Sequence, residues 1–257
     1  MFGAFPGYFL TRIPADFDRH HADSCMKIVV MQKDEAELKR AAAESAVALV
    51  ADRMVVGLGT GSTSTFAVSA LGRRVKEGLR IIGIPTSERT AAQARELGIT
   101  ISSLEEHPSI DITIDGADQV EEGSLNLIKG YGGALLREKI VASASRKLAI
   151  IVHESKLARQ LISEAPIPIE VVRFSWQSTA RHLETLGAKP AIRKNGGQPF
   201  ETDGGNYILD SRFEPGTPAD QLAERLDHVV GVVEHGLFIG MTSEVHVASA
   251  TGVRVLR

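Results

Sequence analysis

Cysteine is nearly missing: Cys25 is the only one in 257 residues, which excludes both an intrachain disulfide and a cysteine-built zinc site. Histidine offers no substitute. The eight histidines are scattered, and none pairs with another at the i, i+4 spacing of a helical metal site, so the chain is read as metal-free. Strong charge of one sign is lacking too. A net charge of −3 gives no global attraction to nucleic acid or to an anionic membrane. No run approaches the roughly 18 apolar residues of a transmembrane helix. With one thiol and no membrane span, a cytoplasmic protein is expected. What is present is an ordinary globular composition, 43% hydrophobic and 24% charged, in a length that allows one large domain or two small ones.

The first thirty residues stand apart. They hold four of the nine phenylalanines and show no clear period. Pro6 and Gly7 break a short apolar start that no basic residue precedes, unlike a signal peptide, and Asp16, Asp18 and Asp23 are out of place in a mitochondrial presequence. Residues 1–30 read as a disordered extension, or as upstream sequence ahead of a true start at Met26 or Met31, with no chemistry of their own.

From Asp34 onward helices and strands alternate. Asp34 is placed to cap a helix with Glu37 as its capping-box partner, and the alanine-rich stretch continues to about Val50. MVVGLG reads as a buried parallel strand, followed by a helix that Ser62 caps and that runs to about Leu71. IIGIP (81–85) is a second strand; Ser87 opens a helix that Gly98 stops; ITISSL and DITID are further strands. A helix over 133–146 precedes the strand LAIIVHE (148–154). This alternation implies a parallel sheet with helices on both faces, whose ligands gather beyond the carboxyl ends of the strands. At Pro166 the texture changes to strand (170–175), helix (177–186), strand (190–194), strand (207–213), helix (218–226) and strand (229–234). That is the split βαβ order, with turn signals at KNGGQ and TDGGN. The expected organisation is an α/β, Rossmann-like parallel sheet domain made of 31–165 plus 235–257, with a smaller α+β, ferredoxin-like domain of 166–234 inserted into it.

Three segments carry chemistry, each at a strand's carboxyl end. In GLGTGST the glycines Gly57, Gly59 and Gly61 follow G-x-G-x-G, whereas a dinucleotide fingerprint needs glycine at position 62 and has Ser62 there. No Gly-Lys-Ser/Thr follows, which excludes a Walker A loop. What remains is a glycine turn into a helix with the hydroxyls of Thr60, Ser62 and Thr63 at its start, either an anion site or a tight turn capped by Ser62. DGAD places Asp115 and Asp118 around Gly116 and Ala117, either as an Asx-type turn or as a contact for sugar hydroxyls. KGYGGALLREKI sets Lys129 before a glycine-rich turn (Gly130, Tyr131, Gly132, Gly133) and puts Glu138 about one helical turn in, among Leu135, Leu136 and Ile140. A carboxylate on an apolar helix face is a candidate general base, because desolvation raises its pKa. Lys156, closing another strand, either approaches the same pocket or is a charge at a helix start.

The ordered set GLGTGST, DGAD, KGYGGALLREK and ESK resembles ribose-5-phosphate isomerase of the A type, from about Lys33 to the end. Lys129 to Glu138 spans nine residues and Glu138 to Lys156 eighteen, as in that family. The resemblance implies Glu138 as catalytic base, with Asp115 and Lys129 assisting. It implies substrate contacts from Thr60, Gly61, Ser62, Thr63, Asp115, Gly116, Ala117, Asp118, Lys129, Gly130, Tyr131, Gly132 and Lys156, and a phosphate contact from Lys39. It further implies a sugar phosphate substrate in the non-oxidative pentose phosphate pathway, no cofactor and no metal. The partner it implies is a second copy, in a homodimer, with no nucleic acid or membrane. Two positions depart from the family: Gln119 replaces the glutamate common after DGAD, and Tyr131 stands where many members have glycine, so φ at that position is expected to be negative.

Rivals of related architecture are an amino-sugar phosphate deaminase, a coenzyme A transferase with a glutamate nucleophile, and a sugar-phosphate sensor. The Lys-Gly-x-Gly-Gly…Arg-Glu-Lys spacing argues against the first two. The sensor needs a helix-turn-helix that the irregular first thirty residues do not supply.

Overall fold

The computed structural model describes residues 35–163 and 165–257; the expectations for residues 1–30 and for Asp34 as a cap lie outside the described residues. Helix α1 (Glu35–Val47) leads into β1 (Val55–Leu58), α2 (Ser64–Lys76), β2 (Ile82–Pro85), α3 (Glu88–Glu96), β3 (Thr100–Ile101) and β4 (Ile112–Gly116). Two short strands, β5 (Gln119–Glu121) and β6 (Leu127–Ile128), precede α4 (Leu135–Ser143), β7 (Leu148–His153) and β8 (Leu157–Ala158). Next come β9 (Ile167–Val171), α5 (Trp176–Thr185), β10 (Lys189–Ile192), β11 (Lys194–Asn195), β12 (Gln198–Pro199), β13 (Tyr207–Arg212), α6 (Ala219–Asp227) and β14 (Val232–His235). Strands β15 (Leu237–Phe238), β16 (Glu244–Ser249) and β17 (Gly252–Leu256) follow.

The apolar runs between helices become one sheet of seven strands in the order β17-β16-β7-β4-β1-β2-β3. All neighbours are parallel except β16 and β17. Strands are added toward one edge from β1 to β3, then toward the other edge from β4 onward. The reversal between β1 and β4 is the topological switch point, where the carboxyl ends of open α/β sheets form a crevice. Small residues let the helices close on the sheet: Ala42, Ala43 and Ala46 of α1 and Ala67 of α2 pack with Val56, Leu58 and Ile114.

The second sheet is antiparallel, in the order β10-β13-β9-β14. With α5 and α6 between its strands it has the split βαβ connectivity, and a separate core of Ile167, Ile169, Leu183, Leu209 and Leu222. The chain is thus a Rossmann-like parallel sheet with a smaller α+β unit inserted before the last strands, as expected. A third sheet, β15-β6-β5-β8, has strands of two or three residues and no readable period.

Local corrections follow from hydrogen bonding. Ser62 does not cap α2. The helix starts at Ser64, its N-cap is Thr63 in helical φ/ψ with no side-chain cap bond, and it runs beyond Leu71 to Lys76. Ser87 does cap α3, accepting from Thr90 N–H at 3.1 Å. The first strand of the inserted unit runs over Ile167–Val171 rather than 170–175, because all five of these residues are buried, they pair with β13, and the Pro168 carbonyl accepts from Gly236 N–H. The helix expected over 133–146 is shorter, since Gly133 has φ +80° and belongs to the turn.

Candidate active site

The glycines of the first turn serve close approach more than flexibility. A Cβ on Gly57 would lie 1.8 Å from Thr113 Oγ1, and one on Gly59 would lie 2.1 Å from Asp115 Oδ1 and 2.7 Å from Asp115 Cα. Only Gly61 of the three has positive φ, +122°. β1 can therefore leave the sheet in contact with the end of β4. Beyond Gly59, Thr60 is buried and its Oγ1 lies 2.7 Å from Thr86 Oγ1 and 2.8 Å from Ser87 Oγ. Thr90 Oγ1 donates to Gly59 O at 3.1 Å. This knot of hydroxyls ties the turn to the start of α3. Gly61 O accepts from Thr65 N–H, so Ser62 and Thr63 lie directly before the first turn of α2, a place where backbone N–H groups favour an anion.

Three charged side chains converge below that turn. Asp115, Lys129 and Glu138 are 1%, 3% and 3% exposed. Lys129 Nζ lies 2.9 Å from Asp115 Oδ2 and 3.3 Å from Glu138 Oε2, and donates to Gly116 O at 2.5 Å. Asp115 Oδ1 accepts from Ser64 Oγ at 3.0 Å and from Gly116 N–H at 2.7 Å. Glu138 Oε2 is buried and makes no hydrogen bond of good geometry, although it lies within ion-pair distance of Lys129. Burial pushes the Glu138 carboxyl up, to about 8; Lys129 opposes the shift, and the charges of Asp115 and Asp118 add to it. Burial alone would lower Lys129, yet Asp115 and Glu138 outweigh it and hold the ammonium above its ordinary value. The site therefore pairs a fixed cation with a carboxyl poised near neutrality.

The remaining candidates lie as follows. Asp118 Oδ2 accepts from Tyr131 N–H at 2.9 Å; burial raises its pKa against Tyr131 N–H and the charges of Lys129, Lys156 and Arg193. Lys156 thus lies within electrostatic reach of the site. A Cβ on Gly132 would be 3.8 Å from Thr60 Cγ2, and one on Gly116 would be 3.8 Å from Thr63 Cβ, so the second and third motifs both meet the first. Gly130 needs its φ of +115°, whereas Tyr131 is not among the residues with positive φ, as expected. Ala117 packs on the core around Val120 and Phe238. Lys39 is half-buried on α1.

Several neighbours escaped the sequence reading. Ser64 orients Asp115. The Phe238 ring carries Lys129 Nζ at 5.5 Å and Lys139 Nζ at 5.0 Å from its centroid, a favourable placement of both cations. Among the described residues, Asp227, Glu234 and His235 bring donor atoms within 4.8 Å of one another. The cation there is Lys139, whose Nζ donates to Glu234 Oε1 at 2.6 Å and to His235 O at 2.7 Å.

Comparison with known proteins decides the family. The family description "Ribose 5-phosphate isomerase A (phosphoriboisomerase A)" matches residues 82–252. A relative from Gloeobacter violaceus, ribose-5-phosphate isomerase A, is 58% identical over 219 residues, covering 85% of this chain and 95% of its own length. The chain belongs to the ribose 5-phosphate isomerase A family. The solved family structure from Methanocaldococcus jannaschii is 39% identical with a TM-score of 0.83, covering 86% of this chain and 98% of that one. Another D-ribose-5-phosphate isomerase, solved in complex with phospho-erythronic acid, is 37% identical with a TM-score of 0.83 over the same share of each.

Proposed function

We propose that this chain interconverts D-ribose 5-phosphate and D-ribulose 5-phosphate through a cis-enediolate, as the family name implies. The observation that carries the reading is Glu138, a desolvated carboxyl whose buried Oε2 makes no hydrogen bond of good geometry and lies 3.3 Å from a buried ammonium. In the opened aldose, Glu138 removes the C2 proton. The electrons of that C–H bond form the C1=C2 double bond, and the carbonyl electrons move onto O1. Lys129 Nζ stabilises the charge on oxygen, and Asp115 moves protons between O1 and O2. The enediolate then closes to a C2 carbonyl as Glu138 returns the proton to C1. One carboxyl serves both adjacent carbons, and the step needs no oxidant or reductant. Oriented donors of this kind are worth about 3–4 kcal/mol each in the transition state.

The substrate tail is assigned to the helix start at Ser62 and Thr63 with Lys156 and Lys39, where N–H groups and ammonium charge favour a phosphate. Asp118 and the backbone of Gly130 to Gly132 receive the hydroxyls. We assign residues 166–234 to the inserted domain, and the assembly to a cytoplasmic homodimer. Among the described residues no helix is long and apolar enough to cross a membrane. Ketose formation from ribose 5-phosphate, in buffer with a chelator and no added cofactor, tests the assignment. Ammonia release from glucosamine 6-phosphate without ketopentose formation would replace it by the deaminase.

A further inference from the structure

The inserted unit reaches the site through one side chain that no motif announces. Arg193 lies between β10 and β11. Its Nε and Nη2 donate side-on to Asp210 Oδ2 and Oδ1 at 2.9 and 2.5 Å. Its Nη1 donates to Gly130 O at 2.8 Å and to Tyr131 O at 3.2 Å. The Gly130 carbonyl and the Tyr131 N–H belong to the same peptide group, and that N–H is the donor to Asp118 Oδ2. One peptide plane is thus held by its oxygen from the inserted unit and by its hydrogen from Asp118, between β4 and β5. Turning the plane over would break both bonds. Gly130, at φ +115°, has the backbone that permits this setting, and a Cβ there would come within 2.8 Å of Leu135 Cδ2. Phe200 closes the far side, since a Cβ on Gly133 would lie 2.4 Å from its ring, and the Arg193 guanidinium lies 5.9 Å from the centroid of that ring.

We propose that Arg193 is a positioning residue: it locks the Gly130–Tyr131 peptide, and through it the orientation of Asp118 and of the backbone next to Lys129. This rests on the isomerase reading for its kinetic consequence but not for its structural one. A planar fork anchored on a carboxylate while a third nitrogen spans two carbonyls is a task for arginine; a lysine offers one point charge and cannot do both. The inserted unit then sets the geometry of the site without touching substrate.

Two readouts test it in the full chain. Amide exchange at Tyr131, measured without substrate, is expected to run about 10- to 100-fold faster in Arg193→Met, the range expected when a hydrogen bond to a charged group is lost. In the same variant kcat/KM for ribose 5-phosphate is expected to fall about 10²-fold, the cost of misplacing a reacting group by about 1 Å. Arg193→Lys should lie between. Arg173→Met, which removes an exposed partner of Glu201 on the same unit, should match the parent in both. Wild-type exchange and wild-type kcat/KM in Arg193→Met would overturn the proposal. If that variant does not fold, Asp210→Asn takes its place: it weakens the anchor and keeps the cation, so unchanged exchange at Tyr131 would also overturn it. A parent that exchanges slowly at Tyr131 but makes no ketose defeats the isomerase reading and leaves the positioning role standing.

Discussion

Replacing Glu138 by glutamine should make the protein's stability less sensitive to pH, and the size of the effect follows from burial. In the unfolded chain this carboxyl titrates near its ordinary value of 4.5; in the folded chain desolvation raises it to about 8. The folded state therefore favours the protonated form. The stabilisation from this raised pKa is complete below 4.5 and is lost as pH climbs through 8. Between those limits the unfolded chain has released the proton and the folded chain retains it, which costs the parent about 1.4 kcal/mol of stability per pH unit. Glutamine keeps the shape and has no proton to lose. The stability of Glu138→Gln minus that of the parent should rise with pH between about 5 and 8 by a few kcal/mol in all. Over this range Glu138 is a neutral carboxyl, so glutamine removes no charge from beside Lys129, whose partners Asp115 and Gly116 O remain. Urea unfolding of both proteins at half-unit pH steps measures the slope. Parallel curves, or a difference that falls with pH, would show that Glu138 is not held neutral by burial.

Two further outcomes follow from the same geometry. In the parent, kcat/KM should rise with pH and level off above about 8 as Glu138 becomes the free base, falling about tenfold per unit well below that value; a flat profile from pH 6 to 9 contradicts this. Gly59→Ala should lose activity and stability together, by at least the roughly 1–3 kcal/mol of an overpacked core, because its Cβ would meet the Asp115 backbone at 2.7 Å; thermal melting and the ketose assay check both.

Much of the fold was legible because strands buried on both faces must be short and apolar, and the glycines mark where each one ends. The buried cluster of Asp115, Lys129 and Glu138 was legible for a related reason: Asp115 lies one residue before the end of β4, Lys129 follows β6, and Glu138 sits in the first turn of a helix whose flanking residues are apolar. Arg193 was not legible, because its partner Gly130 is 63 residues away in the chain and a lone arginine in a polar turn has no local pattern. Phe238 was equally hidden. Its two-residue strand has no period, and its contact with Lys129 is made only when β15 pairs with β6. The cap of α2 departs from the expectation because the helix begins two residues after Ser62, with Thr63 at the N-cap already in helical φ/ψ and making no side-chain cap bond.

The central claim is that Glu138 carries the proton between C2 and C1, and the most direct measurement is single-turnover isomerisation of ribose 5-phosphate by Glu138→Gln, with binding followed separately. Sugar-phosphate binding near the parent's, with ketose formation slowed by at least about 10²–10⁴-fold and no loss of C2 deuterium to solvent, is the expected result. Rapid ketose formation by the folded variant would place the base elsewhere.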